Sequence, residues 1–145
     1  MVTGLGDMGL SLIIAAIGSA FGAGAAGMAA IGAWKKANMH NKLAPFIIVA
    51  FVGAPLSQTI YGMIVMNAIK AANLPPGADL FKIILGLGAG LAIGASALMQ
   101  GRAGASASDA LGETGKGFGN YIMVVGILET VALFVMVFLL AFIPK

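Results

Sequence analysis

The sequence predicts an all-α membrane protein with four transmembrane helices arranged as two tandem hairpins. Three observations carry this expectation. Of 145 residues, 60% are apolar and only 9% are charged, against about a quarter charged in soluble domains. Four stretches, Met8–Trp34, Leu43–Ile69, Ile83–Gly101 and Gly117–Pro144, hold a single charge between them, Glu129. Each is near or beyond the roughly 20 residues that a helix needs to cross a hydrocarbon core. No period-2 alternation marks these stretches, and they are far too long for single barrel strands. Such a composition excludes a soluble globular enzyme and a disordered tail.

The first helix is expected near 5–33. It lacks the basic flank of a signal peptide and is too long for its apolar segment. The second is expected near 44–70, the third near 79–102 and the fourth near 118–143. Residues 1–74 then form one hairpin and 75–145 a second, joined through Pro75, Pro76 and Gly77, a strong helix break. Trp34–Lys42 and Arg102–Lys116, the latter rich in Ala, Gly and Ser, read as connections. Together they hold five Lys and Arg, against Lys70, Lys82 and Lys145 on the other side. The positive-inside rule therefore puts both termini outside and the loops 34–42 and 102–116 in the cytoplasm.

The two hairpins resemble each other in helix type. Ile17-Gly18-Ser19-Ala20 in the first helix and Ile93-Gly94-Ala95-Ser96 in the third are followed by further glycines, whereas the second and fourth helices are built from Ile, Val, Phe, Met and Leu. Small residues let helix backbones approach closely in lipid. The first and third helices therefore suit a crowded inner layer and the other two an outer one, an arrangement that also suits a ring of many copies. Ordinary packing within one bundle would use the same residues.

With no Cys and one His, thiol-ligated and multi-His metal sites are excluded. The net charge of +3 forms no basic stripe with interleaved aromatics, so no nucleic-acid partner is expected. Chemistry concentrates instead at Glu129. It lies about 14 residues before Ile143, roughly 21 Å from that helix end. A bare carboxylate so deep in the membrane costs several kcal/mol. Burial favours the neutral acid, whereas a bound cation or hydrogen bonds favour the ionised form. Uptake and release of a cation or proton explains such a residue; a protonated structural Glu between helices is the other reading.

On the second helix Ser57, Gln58 and Tyr61 share one face. Gln58 lies roughly 18 Å from Lys70, close to the depth of Glu129. Gln100 on the third helix lies roughly 31 Å from Asp79, deeper than expected unless that helix starts above the bilayer. Taken singly, Ser57 could back-bond to its own helix, and the two Gln could be interhelical glue. Together they place a carboxylate, two amide oxygens and a hydroxyl in otherwise apolar helices, and hard cations take oxygen ligands. Pro55 removes a backbone donor and is expected to free the Phe51 carbonyl as one more oxygen.

Ala54-Pro55-Leu56-Ser57-Gln58-Thr59-Ile60-Tyr61-Gly62, with Gln100-Gly101 and Leu128-Glu129-Thr130, resembles the proteolipid subunit of the V-type (V/A-type) ATPase rotor ring, and within that family the sodium-translocating members. The resemblance covers essentially the whole chain. It implies a non-catalytic subunit that binds one sodium ion at Glu129, with oxygens from Gln100, Gln58 and Ser57 and from the Ala54 carbonyl in place of Phe51. It gives Tyr61 the role of a lock on Glu129, and Pro55 a supporting one. Ser57 stands where a Thr is familiar, and Ala54 where a Leu is. Leu56 falls where the first hairpin would carry its own carboxylate. The implied partners are further copies in a two-layer ring, a stator membrane subunit with an essential Arg, central-stalk subunits gripped by the cytoplasmic loops, and membrane lipid. A proton-coupled ring with the same carboxylate is the alternative. A small four-helix secondary transporter exchanging protons for a cationic drug is another; it wants an aromatic cage near the carboxylate, whereas the one Trp, Trp34, falls in a loop. A purely structural ring leaves Glu129 without a task.

Overall fold

The computed structural model describes residues 6–144. They form four long helices: α1 (Leu10–Met39), α2 (Phe46–Ala71), α3 (Asp79–Thr114) and α4 (Phe118–Phe142). All four are long and apolar enough to cross a membrane, and the chain is a multi-pass membrane protein. The expected start of the first helix at Leu5, and Lys145, lie outside the described residues. The helix ends correct two expectations. α1 runs on to Met39, so Lys35 and Lys36 belong to its last turns and the connection shortens to residues 40–45.

The larger correction concerns 102–116, expected as a loop. α3 continues through it to Thr114, leaving only Gly115–Gly117 as the turn. Alanines 103, 105, 107 and 110 favour helix. The glycines serve close packing instead of a turn: a Cβ at Gly104 would lie 2.9 Å from the Phe51 carbonyl oxygen, and one at Gly112 would lie 2.6 Å from Ala33 Cβ. The hydroxyls of Ser108 and Thr114 donate to Gly104 O (2.8 Å) and Ala110 O (2.7 Å) in their own helix. The chain turns where Gly115 (φ 66°) and Gly117 (φ 91°) adopt left-handed conformations that suit glycine. Lys36 and Glu113 form an exposed ion pair between the ends of α1 and α3.

α1 and α3 pack along most of their length, backbone against backbone. A Cβ at Gly18 would fall 2.1 Å from the Gly94 carbonyl oxygen, and one at Gly101 2.1 Å from that of Gly22. Only glycine permits this approach. α2 and α4 flank the pair. α4 keeps only Val125 and Ala132 buried, while Met123, Ile127, Phe134 and Phe138 point outward. α3 is the most buried of the four helices; α1 packs its small residues against α3 but exposes Ile13, Ile17, Phe21 and Met28 on its other side, and α4 is peripheral.

Two apolar clusters fill the interior. One joins Ala15, Val65, Ile69, Ala89, Ile93 and Ala132; the other joins Ala30, Ala33, Ile48, Phe51, Ala107, Leu111 and Val125. Along α2 the interval between the clusters holds Ser57 and Gln58. Along α3 it holds Ser96 and Gln100, and along α4 it holds Glu129. A polar layer is thus enclosed between two apolar ones.

Candidate ion-binding site

Pro55 shapes the first wall of this layer. α2 tightens to a 3-10 turn over Ala54–Leu56 and resumes as α-helix at Ser57. Proline has no N–H to give and its ring crowds the preceding turn, which accounts for the local change. The turn brings the Ala54 carbonyl oxygen to 3.1 Å from Ser57 Oγ. The Phe51 carbonyl, expected on local grounds to be the freed ligand, lies against the backbone at Gly104 instead. The Pro55 kink therefore presents Ala54 to the layer.

Glu129 is met by donors from two helices. The Ser57 hydroxyl donates to its Oε1 at 2.7 Å, and the Tyr61 hydroxyl donates to the same oxygen at 2.5 Å. Gln100 Nε2 donates to Oε2 at 3.3 Å and to the Val125 carbonyl at 3.0 Å. Gln58 Nε2 donates to Gln100 Oε1 at 2.6 Å. Both glutamines are fully buried. Gln58 Oε1 stands 3.2 Å from Ser57 Oγ. The structure thus brings together Ala54, Ser57, Gln58, Tyr61, Gln100 and Glu129.

The apparent depth mismatch of Gln100 dissolves in helix geometry. Side chains lean toward their helix N-terminus, so Glu129 reaches back toward the level of Val125, where Gln100 sits. Measured from Phe142, Val125 lies roughly 26 Å down, only about 5 Å short of the depth of Gln100 below Asp79.

Ser57 Oγ is the crowded point. Three oxygens surround it within 3.2 Å: Ala54 O, Gln58 Oε1 and Glu129 Oε1. A serine hydroxyl has one proton to give, so these oxygens outnumber the proton available between them. A cluster of lone pairs with too few protons attracts a cation. The partners of Glu129 are moreover two hydroxyls and an amide N–H, each able to donate.

Two polar residues escaped the sequence reading. Asp7 is fully buried and accepts from Gly9 N (3.0 Å), Ser11 N (2.9 Å) and the Ser11 hydroxyl, closing the start of α1. An acidic residue just before an apolar helix is a recognised start signal. Ser96 donates from α3 to the Leu128 carbonyl of α4 at 2.7 Å. It lies one helical turn before Gln100, on the same face of α3.

Residues 83–142 match the family model of the ATP synthase C subunit. That family comprises non-catalytic, ion-translocating rotor subunits of ATPase complexes, whose helical hairpins assemble into rings. The matched stretch carries Ser96, Gln100 and Glu129; the α2 residues of the layer lie outside it. A comparison with curated proteins found no match.

Proposed function

We propose that the chain is a rotor-ring subunit of a V-type ATPase and carries one sodium ion per protomer, held at Glu129. The crowding at Ser57 Oγ carries this reading: Ala54 O, Gln58 Oε1 and Glu129 Oε1 lie within 3.2 Å of one hydroxyl. A sodium ion among these oxygens supplies the positive charge that their protons cannot. It also neutralises a carboxylate that would otherwise cost several kcal/mol in the membrane. Hard cations take oxygen ligands, and this layer offers a carboxylate, a hydroxyl, amide oxygens and a backbone carbonyl. Sodium here is cargo.

On this reading the neutralised site rides past lipid as the ring turns. At the stator, an essential Arg of a membrane subunit displaces the ion, and Glu129 exchanges it between two half-channels. ATP hydrolysis elsewhere in the complex drives rotation. The ends bearing Lys35, Lys36 and Lys42, and Arg102, Glu113 and Lys116, face the cytoplasm and engage the central stalk; both chain termini face outward. The positive-inside rule supports this orientation.

A proton-coupled ring is the second reading, favoured by the hydrogen bond from Gln58 Nε2 to Gln100 Oε1 at 2.6 Å, which pairs the two glutamines directly without an ion. Carbodiimide labelling of Glu129 in the assembled ring separates the two. The reagent attacks the protonated acid, so sodium slows labelling and more sodium is needed at lower pH. Potassium, too large for the cage, protects poorly. Labelling that follows pH but ignores a large excess of sodium would overturn the sodium assignment and leave the proton ring.

A further inference from the structure

α4 is apolar almost all round, and only Val125 and Ala132 are buried. Packing of such a helix does little to fix its rotation about its own axis. Yet that rotation decides where Glu129 points. A carboxylate about 6 Å from the helix axis moves roughly 2 Å for a 20° turn of the helix. That exceeds what contacts of 2.7 Å and 2.5 Å to Ser57 and Tyr61 tolerate.

Among the described residues, α4 is tied to the other helices by hydrogen bonds of two kinds. One kind ends on the Glu129 carboxylate itself. The other runs from α3 to backbone carbonyls of α4: Ser96 Oγ to Leu128 O at 2.7 Å and Gln100 Nε2 to Val125 O at 3.0 Å. The first kind is surrendered whenever Glu129 changes partners. Of the second, Gln100 is itself part of the carboxylate's shell. Ser96 alone holds the backbone of α4 without touching the carboxylate, and it does so at the residue next to Glu129. Its behaviour is unusual for its helix. Ser106, Ser108 and Thr114 of α3 all donate back to carbonyls four residues earlier, the usual habit of helical hydroxyls. Ser96, nine-tenths buried, donates across to α4.

We infer that Ser96 is a positioning residue for Glu129: its hydroxyl pins the Leu128 carbonyl and so sets the rotation of α4 at which the carboxylate faces Ser57, Tyr61 and Gln100. This rests on the reading of Glu129 as the ion-binding carboxylate. Ser96 does not contact the ion; it keeps the binding geometry ready while the carboxylate exchanges partners.

The test compares Ser96→Thr with Ser96→Val in assembled rings. The two side chains have nearly the same volume, and only the first keeps the hydroxyl. Native mass and melting report any effect of bulk, which both share. The readout is the sodium concentration that halves carbodiimide labelling of Glu129. An interhelical hydrogen bond in a membrane corresponds to about three- to tenfold in affinity. Val is expected to raise the half-protecting concentration by that factor relative to Thr, with Thr near wild type. Equal values for Thr and Val would overturn the inference and leave the sodium reading intact. If sodium fails to protect even the wild type, the sodium reading falls, and the pair is compared by labelling rate alone. A several-fold faster rate for Val then supports the pin, because the carboxylate has lost its aligned donors; equal rates overturn it.

Discussion

Replacing Gly101 by Ala tests the central packing and the site together. An added Cβ would lie 2.1 Å from the Gly22 carbonyl oxygen, and 2.2 Å from Gly22 C and Cα. All three are backbone atoms, so no side chain can swing aside. Ordinary contact begins at 3.4 Å, so α1 and α3 must part locally by about 1.3 Å, a strain of the kind that costs about 1–3 kcal/mol in a packed interior. The movement also reaches the next residue, Gln100. Its bond from Gln58 is 2.6 Å and its bond to Val125 O is 3.0 Å; lengthened by the same amount, both would exceed hydrogen-bonding distance.

The assay measures ring mass and melting in mild detergent, with sodium protection of Glu129 on whatever rings form. Gly101→Ala is expected to lower ring yield and melting, and to raise the half-protecting sodium concentration at least tenfold. Gly18→Ala, with its Cβ 2.1 Å from the Gly94 carbonyl oxygen, should impair assembly in the same way. Gly24, which has no atom of the protomer within 4 Å of its added Cβ, should accept Ala without loss of protomer stability. Wild-type yield, melting and protection in Gly101→Ala would refute the backbone contact between α1 and α3.

Three further outcomes follow. Gln100→Leu removes the donor to Glu129 and strands the buried Gln58 amide; an unsatisfied buried group costs about 1–3 kcal/mol, so sodium protection should weaken about tenfold or more while labelling persists. Glu129→Gln should abolish labelling and ion-coupled transport, and native mass should show the ring intact. Lys36→Ala breaks only an exposed ion pair with Glu113, so ring melting should stay unchanged.

Much of the architecture was legible because charge placement and segment length reflect the bilayer directly. The fourth helix, expected at 118–143, is Phe118–Phe142. The third was cut short because glycine has two meanings. In Arg102–Lys116, Gly104 and Gly112 permit close packing, while Gly115 turns the chain; only three-dimensional neighbours tell these apart. The shared face of Ser57, Gln58 and Tyr61 followed from helical spacing. Which carbonyl Pro55 presents did not, since a proline can be absorbed by a kink or, as here, by a 3-10 turn at Ala54–Leu56. Ser96 was overlooked because a serine in a Gly/Ala helix reads as packing, and a bond to another helix's backbone leaves no mark in the sequence.

The placement of Glu129 on α4 has a physical logic under the proposed reading. A carrier site must bind firmly yet open within one passage. A carboxylate in the contact between α1 and α3 would be rigid, but its release would disturb the backbone contacts at Gly18–Gly94 and Gly22–Gly101. On α4 the carboxylate is half-buried at the protomer's edge, and its partners sit on two other helices. Ser57 and Tyr61 on α2 and Gln100 on α3 each contribute a separable bond. Breaking these bonds frees the side chain while the α1–α3 core keeps its packing. The cost of opening is then that of a few polar contacts and the bound ion, which a competing positive charge at the stator can offset. Firmness comes from the number of oxygens in the layer, and reversibility from the helix on which the charge was placed.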